Sequence, residues 1–257
     1  MNSYKVLILT PEFIPVQGGT GAYVEGLARN FQGDVEVHVV TSARKGFLNQ
    51  YENLLGSNVT VHSLGKTSYS FFDNFKFQYQ IKKNLKRLIK EYSIDLVHSQ
   101  SALPDLYIHP NDLKIPIITT IHSTIEDQIR TIHITNQRFM KLSSSERFCI
   151  IFSPYLKRIE NKYYTSERHF IAVSNWTRSQ VIRTKRIKPS CVRTIHNGVD
   201  TEKFSVRNKE ESYKFFPELY NNGKLKILFF SRMNASKGLY IYLEAIKKLI
   251  SNKDIHF

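Results

Sequence analysis

The apolar positions of this chain follow two rhythms. Runs that are apolar at nearly every position, as in Lys5 to Thr10 and Ile115 to Ile121, suit strands buried on both faces of a sheet. Between them, apolar residues recur three and four apart, as a helix with one buried face requires. Lys5 to Thr10 therefore predicts a strand. Tyr23, Leu27, Ala28 and Phe31 predict a helix that Thr20 can cap and Gly33 stops, and Val35 to Thr41 predicts the next strand. Further strands are expected at Val59 to Ser63, Asp95 to His98, Ile115 to Ile121, Phe170 to Val173 and Cys191 to Ile195. Helices are expected from Phe75 to Tyr92, through the polar and aromatic region Ile125 to Tyr164, and from Asn175 to about Thr184. This alternation predicts an α/β protein with a Rossmann-like, doubly wound parallel sheet.

The character changes at Asn197-Gly198-Val199-Asp200. From there to Gly223 the chain is charged and irregular, which suits a linker, before Leu225 to Phe230 restarts a strand and Leu239 to Ile250 a helix. The expected division is a domain over residues 1–200, a linker over 201–223, and the first strand and helix of a second domain over 224–257. One strand and one helix cannot cover both faces of a sheet, so that second Rossmann-like domain is expected to be incomplete.

Composition narrows the partners. A hydrophobic fraction of 41% over 257 residues supports buried cores, and two cysteines are too few for a disulfide framework, which fits a cytoplasmic protein. No apolar stretch approaches the roughly 20 residues that cross a bilayer. The net charge of +15 favours an anionic partner such as nucleic acid, lipid headgroups or a phosphorylated substrate, but charge alone does not choose among them. With no nucleic-acid-binding module in the sequence, a solvated basic surface is the plain alternative. The helix Phe75 to Tyr92 sets Leu85, Leu88, Ile89 and Tyr92 on one face, with Lys82, Lys83, Lys86, Arg87 and Lys90 largely on others. Such a helix can lie on an anionic membrane or pack on the protein with a solvated basic face.

The loop Gly18-Gly19-Thr20-Gly21 follows the first strand and opens a helix, where backbone N–H groups can approach a phosphate. The same residues also suit a tight strand-to-helix turn, and the pattern alone leaves both readings open. A dinucleotide fingerprint fails on two counts: Val24 stands where its third glycine belongs, and the second strand ends in Thr41-Ser42 without an acidic residue for the ribose. No P-loop lysine follows either.

Taken in order, Pro15 with Gly18-Gly19, Asp95-Leu96-Val97-His98, Thr119-Thr120-Ile121-His122, Ala172-Val173-Ser174, Ile195-His196-Asn197-Gly198-Val199-Asp200 and Ser231-Arg232-Met233 through Ser236-Lys237-Gly238 resemble the family 4 glycosyltransferases of the GT-B fold. The resemblance covers nearly the whole chain. It implies that Arg232 and Lys237, with Gly18 and Gly19, bind the diphosphate of a nucleotide-sugar donor, and that His122 sits beside the transferred sugar as the catalytic-site histidine. His98 is expected to be structural or acceptor-facing. Family members often carry a second histidine two residues later, where this chain has Gln100. Asn197, Gly198 and Asp200 are expected to form a hinge, with Gly198 free to take a left-handed turn and Asp200 bonding nearby backbone N–H groups.

The resemblance further implies retaining, metal-independent transfer to a glycan or lipid-linked hydroxyl acceptor, with no cofactor beyond the donor and a cytoplasmic or peripheral inner-membrane location. The glutamate pair that the family uses to hold the sugar and ribose has no counterpart in these residues. The chain is therefore expected to be a fragment of a longer enzyme or a natural short form that does not turn over by itself. A non-catalytic acceptor-binding or regulatory module is the alternative.

Overall fold

The computed structural model describes residues 3–13, 18–31, 33–42, 55–65, 71–102, 104–206, 208–215, 217 and 223–257. Pro15, part of the first motif, lies outside them. The chain packs as two compact units, one of Met1–Thr124 with Arg158–Gly198 and the other of Ile125–Lys157 with Val199–Phe257. The sequence division keeps 125–157 within its first domain, whereas here this segment packs with the C-terminal residues.

The first unit is built on a seven-stranded sheet in which every described pairing is parallel. Its strands are β1 (Tyr4–Leu9), β2 (Val35–Thr41), β3 (Val59–Ser63), β4 (Leu96–Gln100), β5 (Ile117–Ile121), β6 (His169–Ala172) and β7 (Val192–Thr194). They lie side by side in the order β3-β2-β1-β4-β5-β6-β7. The chain thus builds outward from β1 on one side and then returns to build on the other. The order reverses between β1 and β4, and in open α/β sheets the crevice outside such a reversal is where ligands bind.

The continuous apolar character of β1 has a direct cause. Val6 and Ile8 join Val24 and Ala28 of α1 (Gly19–Asn30) in one core, while Leu7 and Leu9 join Phe77, Ile81, Leu85 and Leu88 of α2 (Phe71–Tyr92) in another. Alternate residues of a strand face opposite sides, so a strand covered by helices on both must be apolar throughout. The apolar face of α2 is consumed in that second core, and Lys82, Lys83, Lys86, Arg87 and Lys90 remain exposed. A third core joins Ile121, Phe170, Ala172 and Val192 to Val181 of α6 (Asn175–Lys185), whose start is capped by Ser174 through the Thr177 amide.

Beneath the loop that follows β4, a buried polar cluster gathers on Asp105. Arg168 donates to its Oδ2 at 2.6 Å, and Tyr163 and Ser99 each donate to its Oδ1 at 2.7 Å. Arg168 also donates to the Ile108 carbonyl, and its guanidinium lies 4.0 Å from the Tyr163 ring centre. Both partners of this ion pair are almost fully shielded, so they depend on each other and on these hydrogen bonds.

The second unit contains α3 (Ile125–Ile134), α4 (Ser144–Ile151), the start of α5 (Ser153–Tyr163), α7 (Lys209–Phe215), α8 (Leu239–Leu249) and a parallel pair of short strands, β8 (Leu225–Lys226) and β9 (Ile255–His256). Two expectations change here. The stretch anticipated as irregular linker contains α7, and the restarted strand is paired, since β8, α8 and β9 form a minimal strand-helix-strand unit. Regular pairing ends early, however, and Leu228 and Phe230, expected in the strand, are 84% and 94% exposed.

Candidate active site

Three strand ends carry the expected residues of the first unit to the sheet's carboxyl edge. β1 leads to Gly18 and Gly19, β4 ends at Gln100, and β5 is followed directly by His122. Gly18, not Thr20, is the N-cap of α1. Its backbone is extended and no side chain bonds the first-turn amides, while Thr20 already lies inside the helix, too late to cap it. A Cβ on Gly18 would stand 2.7 Å from the Glu12 carboxylate, whereas one on Gly19 meets open space. The Glu12 carboxylate is the exposed end of a flexible side chain that can swing aside, so close approach does not hold Gly18 to glycine. α1 has no acidic residue in its own first turn, but the Glu12 carboxylate lies at this helix N-terminus, where an anion would displace it.

His122 is partly buried. Its Nε2 lies 3.1 Å from Oε1 of Gln100, and the Tyr23 ring meets it edge-on with 4.9 Å between centres. An amide oxygen only accepts, so Nε2 carries the hydrogen and Nδ1 is left as the acceptor. Burial lowers the His122 pKa, which keeps the ring neutral near pH 7.

His98 is placed differently from an acceptor-facing group. It is 5% exposed, and its Nε2 lies 2.8 Å from Thr120 Oγ1 on the adjoining strand. Burial, with a smaller contribution from His122, lowers its pKa to about 4. It reads as a strand-to-strand tie.

Arg232 and Lys237 belong to the second unit and are both exposed. They flank a tight turn. The Asn234 amide donates to the Arg232 carbonyl at 2.9 Å, a single 3₁₀ turn runs Ala235–Lys237, and Gly238 at φ +80° caps it and starts α8. Ala235 is buried against Ile132 and Leu142. An open groove of about 350 Å³ lined by Thr135, Tyr240 and Glu244 lies in the same unit and includes none of the expected site residues.

Asn197, Gly198 and Asp200, expected to form a hinge, bracket the boundary between Gly198 and Val199. Asp200 Oδ1 accepts from the amides of Glu202 and Lys203 at 3.1 and 2.9 Å, as an Asx turn does. Gly198 departs from expectation. It is not among the positive-φ glycines, and a Cβ there would meet no neighbour, so its conformation does not demand glycine. Among the described residues no cluster of three His, Cys, Asp or Glu is placed to hold a metal ion, and no helix is long and apolar enough to cross a membrane.

This architecture is that of a Rossmann-like α/β protein of the GT-B type. A glycosyltransferase from Rickettsia africae ESF-5 superposes with a TM-score of 0.60 at 19% identity over 97% of this chain and 58% of its own. Anabaena HepE in complex with UDP and glucose gives 0.63 at 16% identity, over 98% of this chain and 59% of its own. Phytolacca americana UGT2 complexed with UDP-2-fluoro-glucose and pterostilbene gives 0.55 at 10%, over 90% and 60%. The chain therefore spans somewhat under two thirds of the length of each of these structures. No curated protein matches it. The model of Glycosyltransferase Family 4 matches residues 17–203, and the chain belongs to that family.

Proposed function

We propose that the chain serves a glycosyltransferase that moves a sugar from a nucleotide-diphosphate donor to a hydroxyl acceptor with retention of configuration. The observation that carries this reading is the pairing of Gln100 with His122 at the carboxyl ends of β4 and β5, with Tyr23 of α1 against the His122 ring, in a family 4 chain. Each residue has work that suits its chemistry. The leaving nucleoside diphosphate gains negative charge as the glycosidic bond breaks, and Arg232 and Lys237 meet that charge without a metal ion or other cofactor. The backbone amides at Gly18 and Gly19 contribute the partial positive charge of a helix N-terminus. Neutral His122 presents Nδ1 as an acceptor for a sugar or acceptor hydroxyl and so orients the reacting pair.

UDP-glucose bound to Anabaena HepE supports a nucleotide-sugar donor. The exposed lysines of α2 support an acceptor carried on, or a glycan built at, an anionic membrane face on the cytoplasmic side. Turnover is assigned to these residues acting with a donor-side domain that carries the sugar- and ribose-binding carboxylates implied by the family resemblance. The test is a transfer assay across nucleotide sugars with the purified chain alone and mixed with such a donor-side segment. Transfer is expected only from the mixture, and Arg232→Ala should suppress it. No transfer with any donor under either condition would overturn the reading.

A further inference from the structure

We infer that Glu146, far from the Arg232–Lys237 turn in sequence, is the positioning residue that holds this turn in shape; the inference rests on the diphosphate role just proposed. Glu146 lies in the first turn of α4 and closes a reciprocal capping box with Ser143. Its Oε2 accepts from the Ser143 amide at 3.0 Å and from the Ser143 hydroxyl at 2.8 Å. A capping box needs no more than that, and the second carboxylate oxygen of such a glutamate ordinarily faces water. Here Oε1 accepts the backbone N–H of Ser236 at 2.8 Å, across 90 positions of sequence. The carboxylate is only 5% exposed, so Oε1 would be a buried, unpaired charge without Ser236.

The bond falls on the residue immediately before Lys237. On its other side Ala235 is buried beside Ile132 and Leu142, and Tyr240, just beyond the turn, donates its hydroxyl to the Lys141 carbonyl at 2.9 Å. The turn is thus fixed from α3, from the start of α4 and from the residue ahead of the capping box. A loop already ordered does not have to be ordered by its ligand, so an anion held by Arg232 and Lys237 binds more tightly to the fixed turn than to a loose one. Burial alone would raise the Glu146 pKa, but the bonds from Ser143 and Ser236 outweigh it and the net direction is downward, so the anchor is ionised at neutral pH.

The test uses the full chain, amide hydrogen exchange at residues 232–238, and titration with inorganic pyrophosphate followed by amide chemical shifts. Glu146→Ala should speed exchange at Ser236 and weaken pyrophosphate binding about tenfold. Glu146→Gln, whose side-chain oxygen can still accept from Ser236, should restore most of both. Ser143→Ala removes the capping hydroxyl but leaves Oε1 on Ser236, and it should alter neither. Unchanged exchange at Ser236 in Glu146→Ala overturns the anchor. If Arg232→Ala weakens pyrophosphate binding and Glu146→Ala does not, positioning alone is overturned. If neither Arg232→Ala nor Lys237→Ala alters binding, the diphosphate role fails and takes the positioning role with it.

Discussion

Gln100 and His122, at the ends of adjacent parallel strands, share a hydrogen bond of 3.1 Å between Oε1 and Nε2. The amide nitrogen of the fully buried Gln100 has no partner among the described residues. The residue thus gains one hydrogen bond and leaves one donor unsatisfied, two effects of similar size and opposite sign. Gln100→Met is accordingly expected to change stability by less than about 1 kcal/mol while freeing the His122 tautomer. Nitrogen-15 imidazole spectra should show Nε2–H in the native chain and a mixture in the variant. Gln100→Glu should raise the His122 pKa, because a carboxylate favours the imidazolium. A His122 tautomer indifferent to residue 100 would contradict the assignment.

Asp105 and Arg168 form the most shielded of the ion pairs described. Asp105→Ala leaves the guanidinium buried without its carboxylate and takes one acceptor from the Tyr163 and Ser99 hydroxyls, which keep Thr119 and the Ser101 carbonyl as partners. A loss of about 3–5 kcal/mol is expected, chiefly from the unpaired charge. Urea denaturation measures it. A loss below about 1 kcal/mol would show that the cluster contributes little beyond packing.

Acid should destabilise the chain through His98. Its folded pKa, about 4, lies below the ordinary histidine value near 6.5, so the unfolded chain binds the proton first. Its contribution is complete above about pH 6.5, falls as pH drops through the window to about 4, and is flat below, for a loss of about 3 kcal/mol. His38 and His62, whose ring nitrogens lie 2.8 Å apart, are also lowered, mainly by burial, and act in the same direction. Denaturation midpoints from pH 8 to 4 for the native chain and for His98→Asn should diverge at the high end and converge at the low end.

Arg232→Ala or Lys237→Ala, introduced where transfer is measurable, should lower turnover roughly 30- to 1,000-fold, as expected for losing about 2–4 kcal/mol of transition-state stabilisation. Thermal midpoints should barely move, since both side chains are exposed. Full turnover in both variants would remove them from the diphosphate site.

The sheet was legible because its central strands are buried on both faces and its strands are separated by Gly, Pro and polar turns. Ile117–Ile121 and Val35–Thr41 announce themselves in composition alone. His122 is placed by the same signal, because it follows directly on Ile117–Ile121. Less legible was whatever depends on contacts between distant segments. His98 and His122 look alike in sequence, each at the end of an expected strand, yet His98 is buried within the sheet while His122 is only partly buried beyond the end of β5. β9, only Ile255–His256, is too short for periodicity to register. The capping box Ser143 to Glu146 had a local signature inside the long helical region, but nothing local marks Ser236 as a second partner for that carboxylate.

The separation between Glu146 and Ser236 also has a consequence on the ribosome. At about 5–20 residues per second, a separation of 90 residues means that Glu146 is made roughly 5–18 s before the amide that satisfies its second oxygen. Throughout that interval Ile132 and Leu142 also lack Ala235, the buried residue that packs on them. The nascent chain thus carries an unfinished apolar seat and a half-satisfied carboxylate while the later strands of the first unit are still being made. Residues 125–157 are where a chaperone that recognises exposed apolar segments would find this chain during its synthesis.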